Sequence, residues 1–177
     1  MKYCVHCGKV MNDNDLFCAA CGKRQEERRQ GYFNREGLSE EELINKVNTW
    51  FAQNPYIGNV SGKFFLREGL GFLVNKYVLE CFAVEYEFLF GENVYQYRIA
   101  EIGGFALYKK DVASLLADWK SRNPGAIVVN YNGGVHQRGS SSSLLFGGIG
   151  AHNKTQLYVL YKFNRKLGPG LPPPSNG

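Results

Sequence analysis

Two stretches of the chain place apolar residues at the spacing of an amphipathic helix. The first begins at Ser39, where three following glutamates complete a capping box, and it ends at Asn54 before a proline. The second begins at Asp111 and ends at Asn123, again before a proline. The apolar stripes of the two predicted helices are Leu43, Ile44, Val47, Trp50 and Phe51, and then Val112, Leu115, Leu116 and Trp119.

Apolar residues elsewhere alternate with polar ones, which is the pattern of half-buried strands. The clearest alternation continues on both sides of a short polar turn at residues 91–93, and this predicts an antiparallel hairpin. No internal repeat is evident. Two amphipathic helices and several strands predict an α+β domain with a mainly antiparallel sheet. The predicted strands cover residues 62–67, 77–90, 95–99, 105–108, 126–131 and 156–163.

Four of the five cysteines lie near the N-terminus in the pattern C-x2-C-x10-C-x2-C, as Cys4, Cys7, Cys18 and Cys21. Each pair can form a tight knuckle that aims two thiolates at one cation, and two knuckles supply the tetrahedral S₄ set that Zn²⁺ prefers in structural sites. A Gly-Lys dipeptide follows each pair, and glycine allows the turn that a knuckle needs. The spacing predicts one structural Zn²⁺, with no position open for catalysis.

Other uses of these cysteines require contexts that the sequence lacks. Disulfides need an oxidising compartment, and a redox motif needs one pair in a βαβ context. Residues 3–9 and 17–23, which read YCVHCGK and FCAACGK, resemble the short zinc-ribbon domain of many bacterial proteins. The resemblance covers about residues 1–24 and implies zinc binding and protein contacts. It implies no enzymatic activity. His6 lies inside the first knuckle and is expected to be a bystander, because four thiolates already complete the shell.

Composition predicts four regions in the chain. They are a zinc ribbon at 1–24, a charged linker at 25–37 that is helical at its start, an α+β domain at 38–166, and a disordered Pro/Gly-rich tail at 167–177. The N-terminus has no apolar signal region, and no run of about eighteen apolar residues occurs. We therefore expect a cytoplasmic protein without a membrane span.

Charge is distributed unevenly along the chain. Lys and Arg minus Asp and Glu gives +2 for residues 1–37, −4 for 38–108 and +7 for 109–177, which sum to the net charge of +5. A basic C-terminal third, a ribbon and many tyrosines are compatible with nucleic-acid binding. However, the basic residues are scattered rather than clustered, which favours a solvated surface over a polyanion-binding face.

A Gly/Ser-rich loop predicted at residues 132–154 is the remaining candidate for a site. His136 and His152 flank it and, with Arg138 and Lys154, would line a pocket if the protein were an enzyme. However, no base with an orienting partner accompanies them, and Cys81 is predicted to be a buried thiol rather than a nucleophile. A non-enzymatic protein with a protein partner is the first hypothesis, and nucleic-acid binding is the alternative.

Overall fold

The computed structural model describes residues 1–4, 7–12, 15–23, 28–69, 76–89, 91–106, 111–137 and 153–170. At the N-terminus, β1 (Lys2–Tyr3) and β2 (Val10–Met11) form a small antiparallel hairpin. The buried residues Cys4, Met11 and Cys18 form a separate cluster beside this hairpin. The N-terminal ribbon therefore has a small core of its own.

The next four elements form a three-stranded antiparallel sheet covered by one helix. They are β3 (Arg29–Asn34), α1 (Glu40–Gln53), β4 (Ile57–Gly69) and β5 (Lys76–Phe88), with the strand order β3–β5–β4. The predicted capping box is present, because the Ser39 hydroxyl accepts from the backbone of Glu42 and the Glu42 carboxylate accepts from the backbone of Ser39. The buried face of α1, with Leu43, Val47 and Phe51, packs against the sheet.

The following four elements repeat this arrangement. They are β6 (Tyr95–Ala106), α2 (Val112–Arg122), β7 (Ile127–Gln137) and β8 (Asn153–Asn164), with the strand order β6–β8–β7. In both units the first strand precedes the helix, and the last strand lies in the middle of the sheet. The fold thus contains two βαββ units with the same topology, a repeat that the sequence pattern did not reveal.

The two helices also end in the same way. The side-chain amide of Asn54 donates to the backbone oxygen of Trp50 at 2.7 Å, and that of Asn123 donates to the backbone oxygen of Trp119 at 2.9 Å. Each tryptophan packs on an aromatic ring of the central strand of its own sheet, with ring centroids 5.2 Å apart for Trp50 and Tyr86. For Trp119 and Tyr161 the distance is 4.9 Å.

The second sheet is covered on both faces because the side chains of β8 alternate between two cores. Tyr158 and Leu160 join the first core with α1 and the first sheet, whereas Leu157, Val159 and Tyr161 join the second core with α2. In the described part of the chain, the first sheet joins an apolar core on its face toward α1 and β8. Its opposite face includes Tyr32, which is 64% exposed, and Phe65, which is 42% exposed.

The α+β class and both predicted helices are confirmed, but the predicted hairpin across residues 91–93 is wrong. β5 pairs with β3 and β4, and β6 pairs with β8, so the two segments lie in different sheets. Asn93 connects this turn to the segment that joins α1 to β4, since its backbone N–H donates to Pro55 O at 2.7 Å and its side chain donates to Ile57 O at 2.8 Å. A short connection therefore leads from one sheet to the next.

The segment 25–37 that was predicted as a linker includes β3, so the sheet begins inside it. Its one fully apolar residue, Phe33, is 9% exposed and packs on Trp50 with ring centroids 5.3 Å apart. Because Arg29 begins a strand, it does not belong to the helix predicted there. The polar residues around Phe33 obscured the strand, since β3 has one exposed face.

Strand ends also differ from the prediction. β4 is longer than residues 62–67, and residues 105–106 continue β6 instead of forming a separate strand. Residues 132–137 belong to β7 and 153–154 to β8, so these parts of the predicted loop are strands, while 138–152 lie outside the described residues. The first residues of the predicted tail are described, and among them Pro169 O accepts a hydrogen bond from Gly125 N at 3.0 Å.

Within the described ranges, neither helix is long and apolar enough to cross a membrane.

Candidate metal centre

The first cysteine knuckle is held by two backbone hydrogen bonds. Gly8 N donates to Cys4 O at 2.8 Å, and Cys4 N donates to Lys9 O at 2.8 Å. Gly8 has a φ of 70°, a conformation that is costly for a residue with a side chain. The local sequence therefore turns the chain tightly around Cys4 and Cys7.

The second knuckle has the same geometry. Gly22 N donates to Cys18 O at 2.8 Å, Cys18 N donates to Lys23 O at 3.0 Å, and Gly22 has a φ of 68°. The matching Cys-Gly-Lys sequences thus give matching turns, as expected from the glycine after each pair. Each turn presents its two cysteines to the same point.

The four sulfur atoms lie close together in pairs taken across the two knuckles. Cys4 Sγ is 3.6 Å from Cys21 Sγ, and Cys7 Sγ is 3.6 Å from Cys18 Sγ. All four lie within 4.8 Å of one another. A Zn–S bond of about 2.3 Å implies sulfur atoms roughly 3.8 Å apart in a tetrahedron, whereas a disulfide requires about 2.0 Å. The separations fit a shared cation and do not fit disulfides.

Burial differs among the four thiols. Cys4 and Cys18 are 3% and 2% exposed, Cys21 is half-buried and Cys7 is exposed. Met11, at 5% exposure, packs beside them. With so few buried side chains, the ribbon cannot be stabilised by apolar burial alone, and a metal would supply the missing stability.

The thiols influence one another electrostatically. The backbone of Lys9 lowers the pKa of Cys7, but hydrogen bonding with the thiols of Cys4, Cys18 and Cys21, together with partial desolvation, outweighs this effect and raises the pKa to about 12. The pKa of Cys18 is lowered, chiefly by the backbone N–H of Cys21. Four thiolates in so small a volume repel one another unless a cation balances them, and thiolates are the form that binds metal.

The other candidates from the sequence are only partly described. His6, Arg138 and His152 lie outside the described residues, and so do the side chains of His136 and Lys154. Register places His136 opposite Lys154 on the paired strands β7 and β8.

Two basic side chains of the C-terminal third have partners within the chain. The Lys162 ammonium lies 4.9 Å from the centroid of the Tyr95 ring, and Arg165 Nε donates to Asn93 O at 3.0 Å. These contacts give each residue a structural role. Cys81 is half-buried, and burial raises the pKa of its thiol, which disfavours the nucleophilic thiolate.

A buried polar cluster near the N-terminal end of β8 was not predicted from the sequence. Gln156 and Tyr158 are both 0% exposed, and the Gln156 amide donates to Glu101 at 2.6 Å and to the Tyr158 hydroxyl at 2.9 Å. The Tyr158 hydroxyl donates to Tyr77 O at 3.1 Å, while Gln156 Oε1 has no hydrogen-bond partner in the described part of the chain. The sequence feature that could have predicted this cluster is a glutamine within a mainly apolar strand.

Comparison with known proteins identifies the N-terminal segment. A family model of the zinc-ribbon domain matches residues 3–25. Neither the curated proteins nor the solved structures yield a match to the chain. The matched segment contains both knuckles and all four clustered cysteines, which form a possible metal site. The chain therefore carries an N-terminal zinc-ribbon domain.

Proposed function

We propose that this chain is a non-enzymatic interaction protein that binds one structural Zn²⁺ through Cys4, Cys7, Cys18 and Cys21. The observation that supports the proposal most directly is that four sulfur atoms lie within 4.8 Å of one another on two matching knuckles. Soft thiolate ligands in a tetrahedral set favour Zn²⁺ among the common cellular cations. Thiols must stay reduced to bind it, so we place the protein in the cytoplasm.

The metal would have a structural role at this site. Four protein ligands complete a tetrahedral shell and leave no position for water or substrate. When bound, Zn²⁺ supplies a cross-link between the two knuckles and balances the charge of the thiolates. Of the two best-buried ligands, Cys4 follows β1 and Cys18 lies in the second knuckle, so the cross-link would also fix the hairpin against that knuckle.

The interaction role is supported by apolar side chains that the ribbon exposes. Exposed apolar residues mark an interaction surface where they adjoin one another, and Tyr3 and Val10 are cross-strand neighbours on the ribbon hairpin. They exceed what a domain of this size needs for folding, since its core uses other residues. Their exposed fractions are 69% for Tyr3, 58% for Val10, 45% for Leu16 and 40% for Phe17.

Native mass spectrometry of untagged protein, purified without chelator, tests the zinc site. We expect one Zn²⁺ per chain in the wild type and loss of that mass in Cys18→Ser, which removes one of the best-buried ligands. Cys81→Ser is the matched control, because Cys81 is a half-buried thiol in β5 outside the cluster. Metal-free wild type, or Cys18→Ser that retains zinc as the control does, would refute the proposed site.

A binding titration against DNA and RNA at two salt concentrations tests the class of partner. Nucleic-acid binding through lysines and arginines weakens steeply with added salt because counterions are released. We expect no such binding. A salt-sensitive affinity that persists in a Tyr3→Ser/Phe17→Ser variant would replace the protein-partner proposal with the nucleic-acid alternative.

A further inference from the structure

Two of the four outer strands of the two sheets, β6 and β4, have edge backbone groups bonded by asparagine side chains. On β6, the Asn48 amide of α1 donates to Ile99 O at 3.0 Å, and its carbonyl accepts from Ile99 N at 2.8 Å. Where β4 meets β7, Asn130 donates to Gly62 O at 2.6 Å and Asn132 donates to Phe64 O at 3.1 Å. These contacts occupy backbone groups that would otherwise pair with another strand.

The outer edge of β3 has no such cover in the described part of the chain. Arg35 N donates to Glu80 O at 3.0 Å, which continues the β3–β5 register and fixes its hydrogen-bonding parity. Odd-numbered residues of β3 therefore bond to β5, and the backbone groups of Gln30, Tyr32 and Asn34 point outward. All three residues are exposed. The strand thus presents three N–H and three C=O groups in strand geometry.

We propose that the outer edge of β3 pairs antiparallel with β3 of a second copy of this chain. The register that uses all three outward residues places Tyr32 on the two-fold axis, opposite Tyr32 of the second copy. Gln30 then lies opposite Asn34 of the second copy, and the two three-stranded sheets become one six-stranded sheet. A two-fold contact of this kind is self-complementary and closes at a dimer.

Side chains on both faces of β3 suit this pairing. On the face toward α1, Gly31 has no side chain, and the register sets it opposite Phe33 of the second copy. Phe33 is 9% exposed and packs on Trp50 of its own chain, so a glycine opposite it avoids a clash between side chains on this face. On the other face, Tyr32 is 64% exposed and meets its symmetry mate, so aromatic area is buried where water now lies.

One feature opposes the pairing and limits its strength. The same register sets Arg29 opposite Arg35 of the second copy, and like charges directly opposite are unfavourable. Each arginine already has a partner in its own chain, since Arg35 Nη1 is 3.3 Å from Glu80 and Arg29 lies 4.8 Å from the Phe88 ring centroid. We therefore expect a reversible dimer rather than an obligate one.

Two variants at one position separate backbone pairing from side-chain contact. Tyr32→Pro removes the outward N–H, which β5 does not use, and an edge strand tolerates proline at such a position. Tyr32→Ala removes the ring but keeps the N–H. Sedimentation velocity over a concentration series should show dimers for wild type and Tyr32→Ala. Dimerisation of Tyr32→Pro should be weaker than that of Tyr32→Ala by at least about tenfold, because the two hydrogen bonds at the axis are lost.

A second measurement keeps the test valid if the proline variant folds poorly. In the wild type, amide hydrogen exchange at Gln30, Tyr32 and Asn34 should slow as protein concentration rises, while Gly31 and Phe33 are already protected by β5. A monomer throughout the series, equal dimerisation of Tyr32→Pro and Tyr32→Ala, or exchange independent of concentration would overturn the inference. The inference rests on the proposed interaction role but not on the metal, so a zinc-loaded monomer would refute only the β3 pairing.

Discussion

The contact between Asn48 and Ile99 gives a quantitative test of how the two βαββ units are joined. Asn48 is half-buried on α1, and both of its amide groups bond to the backbone of Ile99, which is 2% exposed on β6. Asn48→Ala removes both hydrogen bonds and leaves a buried N–H and a buried C=O without partners. These losses occur at a contact between the helix of one unit and the first strand of the next.

The expected cost follows from the two bonds and one opposing effect. A protein hydrogen bond contributes about 1 kcal/mol net, and an unsatisfied buried group costs about 1–3 kcal/mol. Alanine is a better helix former than asparagine by several tenths of a kcal/mol, which offsets part of the loss. We expect the free energy of unfolding to fall by about 2 kcal/mol relative to a control in which only the helix propensity changes.

Asn45→Ala provides this control, because Asn45 lies on the exposed face of the same helix. Urea unfolding monitored by the fluorescence of Trp50 and Trp119 measures both variants. With an m-value of about 2 kcal/mol/M, the midpoint of Asn48→Ala should lie on the order of 1 M urea below that of Asn45→Ala. Two variants that unfold within about 0.5 kcal/mol of each other would refute the claim that Asn48 joins the units, since that is the usual range of surface substitutions.

Three further predictions concern the ribbon, a close strand contact and alkaline stability. Chelation of the metal should increase amide exchange in residues 1–23 and leave tryptophan fluorescence unchanged, whereas a fluorescence change would show that the α+β domain depends on the ribbon. Gly133→Ala should destabilise by about 1–3 kcal/mol, because its Cβ would lie 2.2 Å from Gln156 O, while Gly103→Ala, whose nearest contact is at 3.7 Å, should cost less by urea unfolding. Burial raises the pKa of Tyr97 and of Tyr161, so their contribution to stability is complete below pH about 10 and is lost as pH rises through the folded-state values. Tyr97→Phe should therefore flatten the alkaline fall in unfolding free energy, and an unchanged pH profile would contradict this assignment.

The features that the sequence determined by itself are those set by neighbouring residues. Two Cys-x-x-Cys-Gly-Lys segments specify two identical turns, because the bonds that hold each turn join residues only a few positions apart. The helix boundaries at Ser39 and Asp111 were likewise predictable, since a capping side chain bonds within one turn of its own helix. For these parts, local hydrogen bonding and backbone conformation are sufficient.

The tertiary structure decided which strands pair and which faces are buried. Alternation predicted strands on both sides of residues 91–93, but it carries no information about partners, and both edges of β5 are taken by β3 and β4. β3 was not predicted from the sequence, because an edge strand with one exposed face contains few apolar residues. The repeat of two βαββ units was hidden for a related reason. Its topology recurs, but the side chains differ, because in the described residues both faces of the second sheet join a buried core, whereas one face of the first sheet does.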